Sequence, residues 1–167
     1  MISPPVNRLA RAFFMFWAGL PFLAPTFSNA QSQQTLDVTT CHSGEVTTVF
    51  ADKDVTLRSA EGWGIVMSQG NTSLDNSSFH VVTTLRTHGQ AITETGYVEL
   101  TDPDGDVILM ESSRTSTEHT SRFFHGTGKW KGISGSSKGQ YIVFRRMQPD
   151  WAAACSKSVW TIELPAK

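Results

Sequence analysis

The sequence predicts an all-β domain of antiparallel strands, closed into a barrel. Three observations carry that expectation. Beyond the first thirty residues, segments rich in Thr, Val, Ile and Phe recur as far as Leu164, with no sustained helical period. Turn chemistry separates them at Gly89-Gln90, at Asp102-Pro103-Asp104-Gly105 and along the glycines between Gly126 and Gly135. This pattern alone admits a sandwich or a barrel. The third observation favours the barrel: the chain has only two cysteines, Cys41 and Cys155, near opposite ends of its polar part. A bond between them requires the first and last segments to be neighbours, which a closed barrel provides and an open meander does not.

Taken in order, the chain begins with Arg8 and Arg11, then an apolar run from Ala12 to Ala24 and the small residues Ser28-Asn29-Ala30. Residues 1–30 therefore read as a secretory signal helix, cleaved near Gln31. A membrane anchor needs roughly 20 uninterrupted apolar residues; this run is shorter, contains Pro21 and is followed by no stop-transfer charges. The mature chain is expected to be soluble, with no membrane span, and secreted or periplasmic. Short strands follow at Leu36 to Thr40, Glu45 to Phe50, Val55 to Arg58 and Trp63 to Ser68, and then a polar loop from Gln69 to Ser78. Phe79 to His88, Ala91 to Thr101 and Asp106 to Arg114 read as a three-stranded meander. Thr115 to Phe124 and Gly139 to Arg146 are extended, Pro149 to Ala154 reads as one helical turn, and Ser158 to Leu164 is the last strand. The total is eight to ten strands.

Residues 31–167 suit one domain with one core. Removing the leader removes two of 14 basic residues and none of 15 acids, leaving 12 against 15, a net charge of −3. That balance argues against nucleic acid as a partner. Lys129, Lys131, Lys138, Arg145 and Arg146 read as a solvated basic face. In an oxidising compartment Cys41 and Cys155 are expected to pair, and the chain-entropy model gives so long a loop about 4 to 5 kcal/mol as an upper figure.

Motifs for chemistry are sparse. Asp102, Asp104 and Asp106 around Gly105 could gather oxygens for calcium, but the spacing departs from an EF-hand: counted from Asp102, the sixth residue is Val107 and the twelfth Ser113. The same residues make an ordinary turn, the reading preferred here, with weak calcium binding as the residual alternative. Gly126-Thr127-Gly128-Lys129 is no phosphate loop, because Phe123 stands in place of its first glycine and Trp130 in place of Ser or Thr. Instead Gly126, Gly128, Gly132 and Gly135 are expected to let the backbone bend, while Trp130 and Ile133 plug one end of the core. The histidines form no close metal-type pair, Ser134 lacks a nucleophile elbow, and no cofactor motif occurs. One polar set remains. Tyr97 and Glu99 share a face, with Arg86 on the preceding strand and Glu111 on the following one. Facing inward, they would make a charged lumen and a cradle for a polar ligand; facing outward, they are ordinary surface, the preferred reading.

Gly96-Tyr97 through Asp106, with His125 to Gly135 and Gly139-Gln140-Tyr141, resembles small exported bacterial proteins of the allene oxide cyclase barrel-like group, which includes the plant dirigent proteins. The resemblance covers about a third of the mature chain and implies an eight-stranded antiparallel barrel with a central cavity. By analogy with the plant relatives it also implies cyclisation of an epoxide fatty acid or guidance of radical coupling, and trimers, so a homo-oligomer is one expectation. No catalytic residue of the group is carried over to this chain. The functional expectation is a non-enzymatic barrel binding a small amphipathic molecule, with Phe79, Val81 and Leu85 or their opposite-parity neighbours as an apolar wall. The rivals are a cyclase-like or dirigent-like guide acting by confinement, and a structural or partner-binding barrel filled by its own side chains.

Overall fold

The computed structural model describes residues 32–165, so the expected leader over 1–30 and its cleavage site lie outside the described residues. Eight strands run in chain order: β1 (Ser32–Ala51), β2 (Val55–Ser68), β3 (Ser78–His88), β4 (Ala91–Thr101), β5 (Val107–Thr115), β6 (Glu118–Gly126), β7 (Ser134–Gln148) and β8 (Trp151–Leu164). Each pairs antiparallel with the next, and β8 pairs with β1, so no edge is left open. The fold is the closed eight-stranded barrel that the sequence predicts.

Two local expectations need correction. The four short strands expected before residue 69 are two long ones, β1 and β2. Gly44 and Gly62, which fall between the expected strands, are cross-strand partners inside the ladder. A Cβ on Gly44 would run into the Glu61 carbonyl oxygen and the Gly62 Cα, so glycine there permits close approach rather than a turn. The helical turn expected over Pro149 to Ala154 is also absent. Gln148 pairs with Trp151, leaving Pro149-Asp150 as a two-residue hairpin loop, and β8 already runs through Ala152, Ala153 and Ala154. Alanine favours helix only locally, and pairing with both β1 and β7 outweighs that preference.

The stagger of the barrel follows from the registers. A hydrogen-bonded row leaves β1 at Thr48, passes Arg58, Leu85, Glu94, Arg114, His119, Gly139 and Ser158, and returns to β1 at Val38. The displacement is 48 − 38, or ten positions, which tilts every strand steeply against the barrel axis. Cys41 and Cys155 are direct partners across the β1–β8 seam and form a disulfide, with Cα atoms 4.1 Å apart. The bond therefore ties the two strands whose pairing closes the barrel.

The two ends differ. The connections between β2 and β3, β4 and β5, and β6 and β7 close one end, where Leu74, Trp130 and Ile133 are buried with Leu100, Ile108, Phe123 and Ile162. At this end Asp102 is fully buried. It accepts hydrogen bonds from Trp130 Nε1 at 2.7 Å and from the backbone N–H groups of Asp104 and Asp106 at 2.8 and 3.0 Å, and Lys129 Nζ lies 2.8 Å away. The glycine cassette makes this latch possible. Gly128 has φ +48° and Gly132 φ +81°, and a Cβ on Gly128 would occupy the space of the Asp106 carboxylate. The hairpins β1–β2, β3–β4, β5–β6 and β7–β8 turn at the opposite end, which stays open.

Candidate functional site: the polar lumen

Inward-facing residues form tiers, each a hydrogen-bonded row across β2 to β6. Near the closed end the tier is Gly64, Phe79, Leu100, Ile108 and Gly126, and above it Gly62, Val81, Val98, Met110 and Phe123. The next tier is small: Ala60, Thr83, Gly96, Ser112 and Ser121, continuing to Ser137 on β7. The last carries the charge: Arg58, Leu85, Glu94, Arg114 and His119. Short side chains in the third tier cannot meet across the barrel. A cavity of about 720 Å³ results, lined below by Val66, Phe79, Leu100 and Trp160, and above by the charged tier.

In that tier the Arg114 guanidinium pairs with Glu94 at 3.2 Å, with the two side chains only 14% and 12% exposed. Arg114 Nε donates to the Ser116 carbonyl oxygen at 3.0 Å, and the guanidinium lies 4.8 Å from the centre of the Tyr141 ring. Tyr141 is thus held by Arg114 on one side and by His119, with ring centres 5.4 Å apart, on another. His42 approaches Tyr141 at 6.4 Å and Phe79 at 5.8 Å, edge-on in both cases. Gly139 leaves room for the imidazole: a Cβ there would come within 2.8 Å of His119 Nε2.

These surroundings fix the protonation states. Burial, reinforced by the neighbouring His119, holds His42 below the ordinary histidine value; burial and the Arg114 charge do the same for His119. Burial and the Glu94 carboxylate push the Tyr141 hydroxyl up. At neutral pH the lumen therefore offers two neutral imidazoles, a protonated phenol and an ion pair. Two polar atoms in it are buried without a hydrogen-bond partner, His119 Nε2 and Arg58 Nε. Such atoms are costly to leave bare.

The structure places the polar set singled out in the sequence on the outer wall. Arg86, Tyr97, Glu99 and Glu111 all have the parity opposite to the lumen-facing residues and are exposed, Tyr97 to 61%. Glu111 pairs with Arg122 at 2.7 Å, not with Arg86, and Tyr97 packs edge-on against Phe124. These four residues lie outside the lumen, whose charged and polar lining is built from others: Arg58, Glu94, Arg114, His42, His119 and Tyr141. At the turn, Asp102, Asp104 and Asp106 are engaged within the protein, Asp104 by Lys129 Nζ at 2.5 Å and Asp106 by the Lys129 backbone N–H at 3.0 Å. The Lys129 ammonium thus lies between the Asp102 and Asp104 carboxylates, and among the described residues no group of three His, Cys, Asp or Glu could hold a metal. Gly105, with φ +89°, makes the ordinary turn. In the cassette Gly135 has φ +120°, and a Cβ on Gly126 would strike Trp130 and Ile133, the plug that these glycines admit.

No protein-family model matches the chain, and no curated protein matches it in sequence. Solved structures do. A pterocarpan synthase dirigent protein superposes with a TM-score of 0.50 at 10% identity, over 90% of this chain and 98% of its own. A second pterocarpan synthase dirigent protein gives 0.51 at 10% identity, over 84% of this chain and 99% of its own. At such identity the likeness is one of fold: the chain shares the closed barrel of these two dirigent proteins.

Proposed function

We propose that this barrel is an exported protein that binds a small amphipathic molecule in its lumen, without needing to transform it. The observation that carries the reading is the cavity of about 720 Å³, apolar at its base and polar at its mouth, with His119 Nε2 and Arg58 Nε unpartnered inside it. Such a shape buries an apolar body and orients one polar end. It favours binding over a barrel filled by its own side chains, because the third tier is too small to fill the space. The disulfide is compatible with export.

A second reading is a dirigent-like guide or cyclase. Tyr141, His42 and His119 in states able to give or accept a proton, beside the Glu94–Arg114 pair, support it, as does the fold likeness to proteins named as pterocarpan synthases. The same lumen serves both readings. Native mass spectrometry of the purified protein, before and after denaturing extraction, tests the first: a small molecule released in one-to-one amount is expected. If the released molecule is converted on return to the refolded protein, the guide or cyclase reading replaces it. A lumen that takes neither an anionic nor a neutral amphipathic probe contradicts both.

A further inference from the structure

The charged tier is unbalanced. Glu94 is matched by Arg114, both held nearly out of solvent, whereas Arg58 on β2 lines the same cavity with no ion pair among the described residues. Its Nε is buried and makes no hydrogen bond. Its neighbours in the row are Leu85 on β3 and Thr48 on β1, neither of them acidic. The acids closest along β2 and β1, Glu61 and Glu45, also border the cavity but are exposed at its rim, and they bond instead to His80 at 2.8 Å and Thr47 at 3.4 Å. A guanidinium cannot shed its charge. Left facing a lumen with an apolar base, it asks for an anion in fork geometry.

We infer that the occupant of the lumen is an amphipathic organic anion, whose acidic head is received by Arg58 at the mouth while its apolar body extends toward Val66, Phe79 and Leu100. This rests on the lumen-binding reading and adds to it the ligand's charge and the residue that selects it. The preference lies in the head group alone. Arg58 supplies an N–H fork for a carboxylate, sulfonate or sulfate, and the small third tier, with the hydroxyls of Thr83, Ser112, Ser121 and Ser137, leaves room for the body between.

Two fluorescent probes that share a skeleton separate the inference from its premise: anilinonaphthalene sulfonate, an anion, and N-phenyl-naphthylamine, its neutral counterpart. Titrated against the intact, disulfide-bonded protein, the sulfonate is expected to bind roughly tenfold or more tightly than the neutral probe, the value of one charge-assisted contact. Arg58→Gln should remove that preference and leave the neutral probe unchanged, and Arg58→Lys should retain most of it. Ser112→Phe, which fills the third tier, should abolish lumen binding of both. Equal affinities in the native protein, or a preference that survives Arg58→Gln, overturn the anion assignment while lumen binding stands. Failure of both probes to bind, or binding that ignores Ser112→Phe, overturns lumen binding itself and the inference with it. If Arg58→Gln does not fold, the native preference and its retention in Arg58→Lys decide.

Discussion

Replacing Asp102 with Asn tests the latch that closes the barrel's lower end. The native carboxylate, fully buried, receives Trp130 Nε1 at 2.7 Å, Lys129 Nζ at 2.8 Å and two backbone N–H groups at 2.8 and 3.0 Å. An Asn there has one acceptor oxygen and one amide nitrogen. If the oxygen keeps the backbone donors of Asp104 and Asp106, the amide points donor to donor at Trp130 and Lys129. Orphaning the buried indole N–H costs about 1–3 kcal/mol. Loss of the ammonium contact adds less than a fully buried pair would, because Lys129 is 28% exposed and keeps Asp104. The sum is about 3 kcal/mol, to be read by urea unfolding at neutral pH with the disulfide intact. The effect must also depend on pH. Burial pushes Asp102 up, but the bonds from Lys129, Trp130, Asp106 and Asp104 outweigh it and hold the carboxyl below its ordinary value of 3.8. A depressed folded value contributes stability in full above the unfolded one and loses it as pH falls through the folded one. The gap between native and D102N should therefore narrow below about pH 4. A gap under about 0.5 kcal/mol at neutral pH, within the range of an ordinary surface substitution, would refute the assignment.

Three further outcomes follow from the fold and the lumen. Replacing Cys41 and Cys155 together by Ser opens a loop with a sequence separation of 114 and should cost up to about 5 kcal/mol, read by urea unfolding; a change below about 1 kcal/mol would mean that strand pairing alone sets the seam. His42 and His119, held neutral by burial, must charge on unfolding, so stability should fall as pH drops below their ordinary value of 6.5; replacing both by Gln should flatten the pH-stability profile between about 6.5 and 5, and an unchanged slope would show that they are not buried neutral. Ser112→Phe should leave the thermal midpoint equal or higher while excluding lumen probes, because it fills space rather than displacing packed atoms; a large loss of stability would mean that the third tier is already full.

The closed barrel was legible from one local signal, turn chemistry between β-favouring segments, and one long-range signal, two cysteines whose pairing demands adjacent ends. The inner face was legible as well, through the register of one hairpin. The two-residue loop Gly89-Gln90 pairs His88 with Ala91, and that pairing sets Phe79, Val81 and Leu85 opposite Leu100, Val98 and Glu94. Two apolar stripes that coincide across a hairpin must share the buried face, which sends Arg86, Tyr97 and Glu99 outward. The obstacle was Glu94 and Gly96. Polar and minimal residues on the inner face break the alternation that marks a buried strand, and they do so because the upper wall borders a cavity rather than a core. His42, His119 and Tyr141 were out of reach for another reason: they stand on β1, β6 and β7, and only closure through the registers brings them together.

The position of the void relative to the strongest interactions connects stability with function. A small-residue tier forfeits dispersion contacts across the lumen, and a barrel that lost them throughout would not stay closed. Here the loss is confined between two reinforced zones. Below it lie the apolar tiers and the Asp102–Lys129–Trp130 latch; above it the Glu94–Arg114 pair joins β4 to β5, and Tyr141 carries the contact to β7. The disulfide ties the seam between β1 and β8, the pair farthest apart in sequence and so the costliest to bring together. With closure secured at these places, the third tier is relieved of any packing duty and its residues can be chosen for the space they leave. Arg58 is the exception within the charged tier: Glu94 and Arg114 answer each other there, while Arg58 has no ion pair among the described residues.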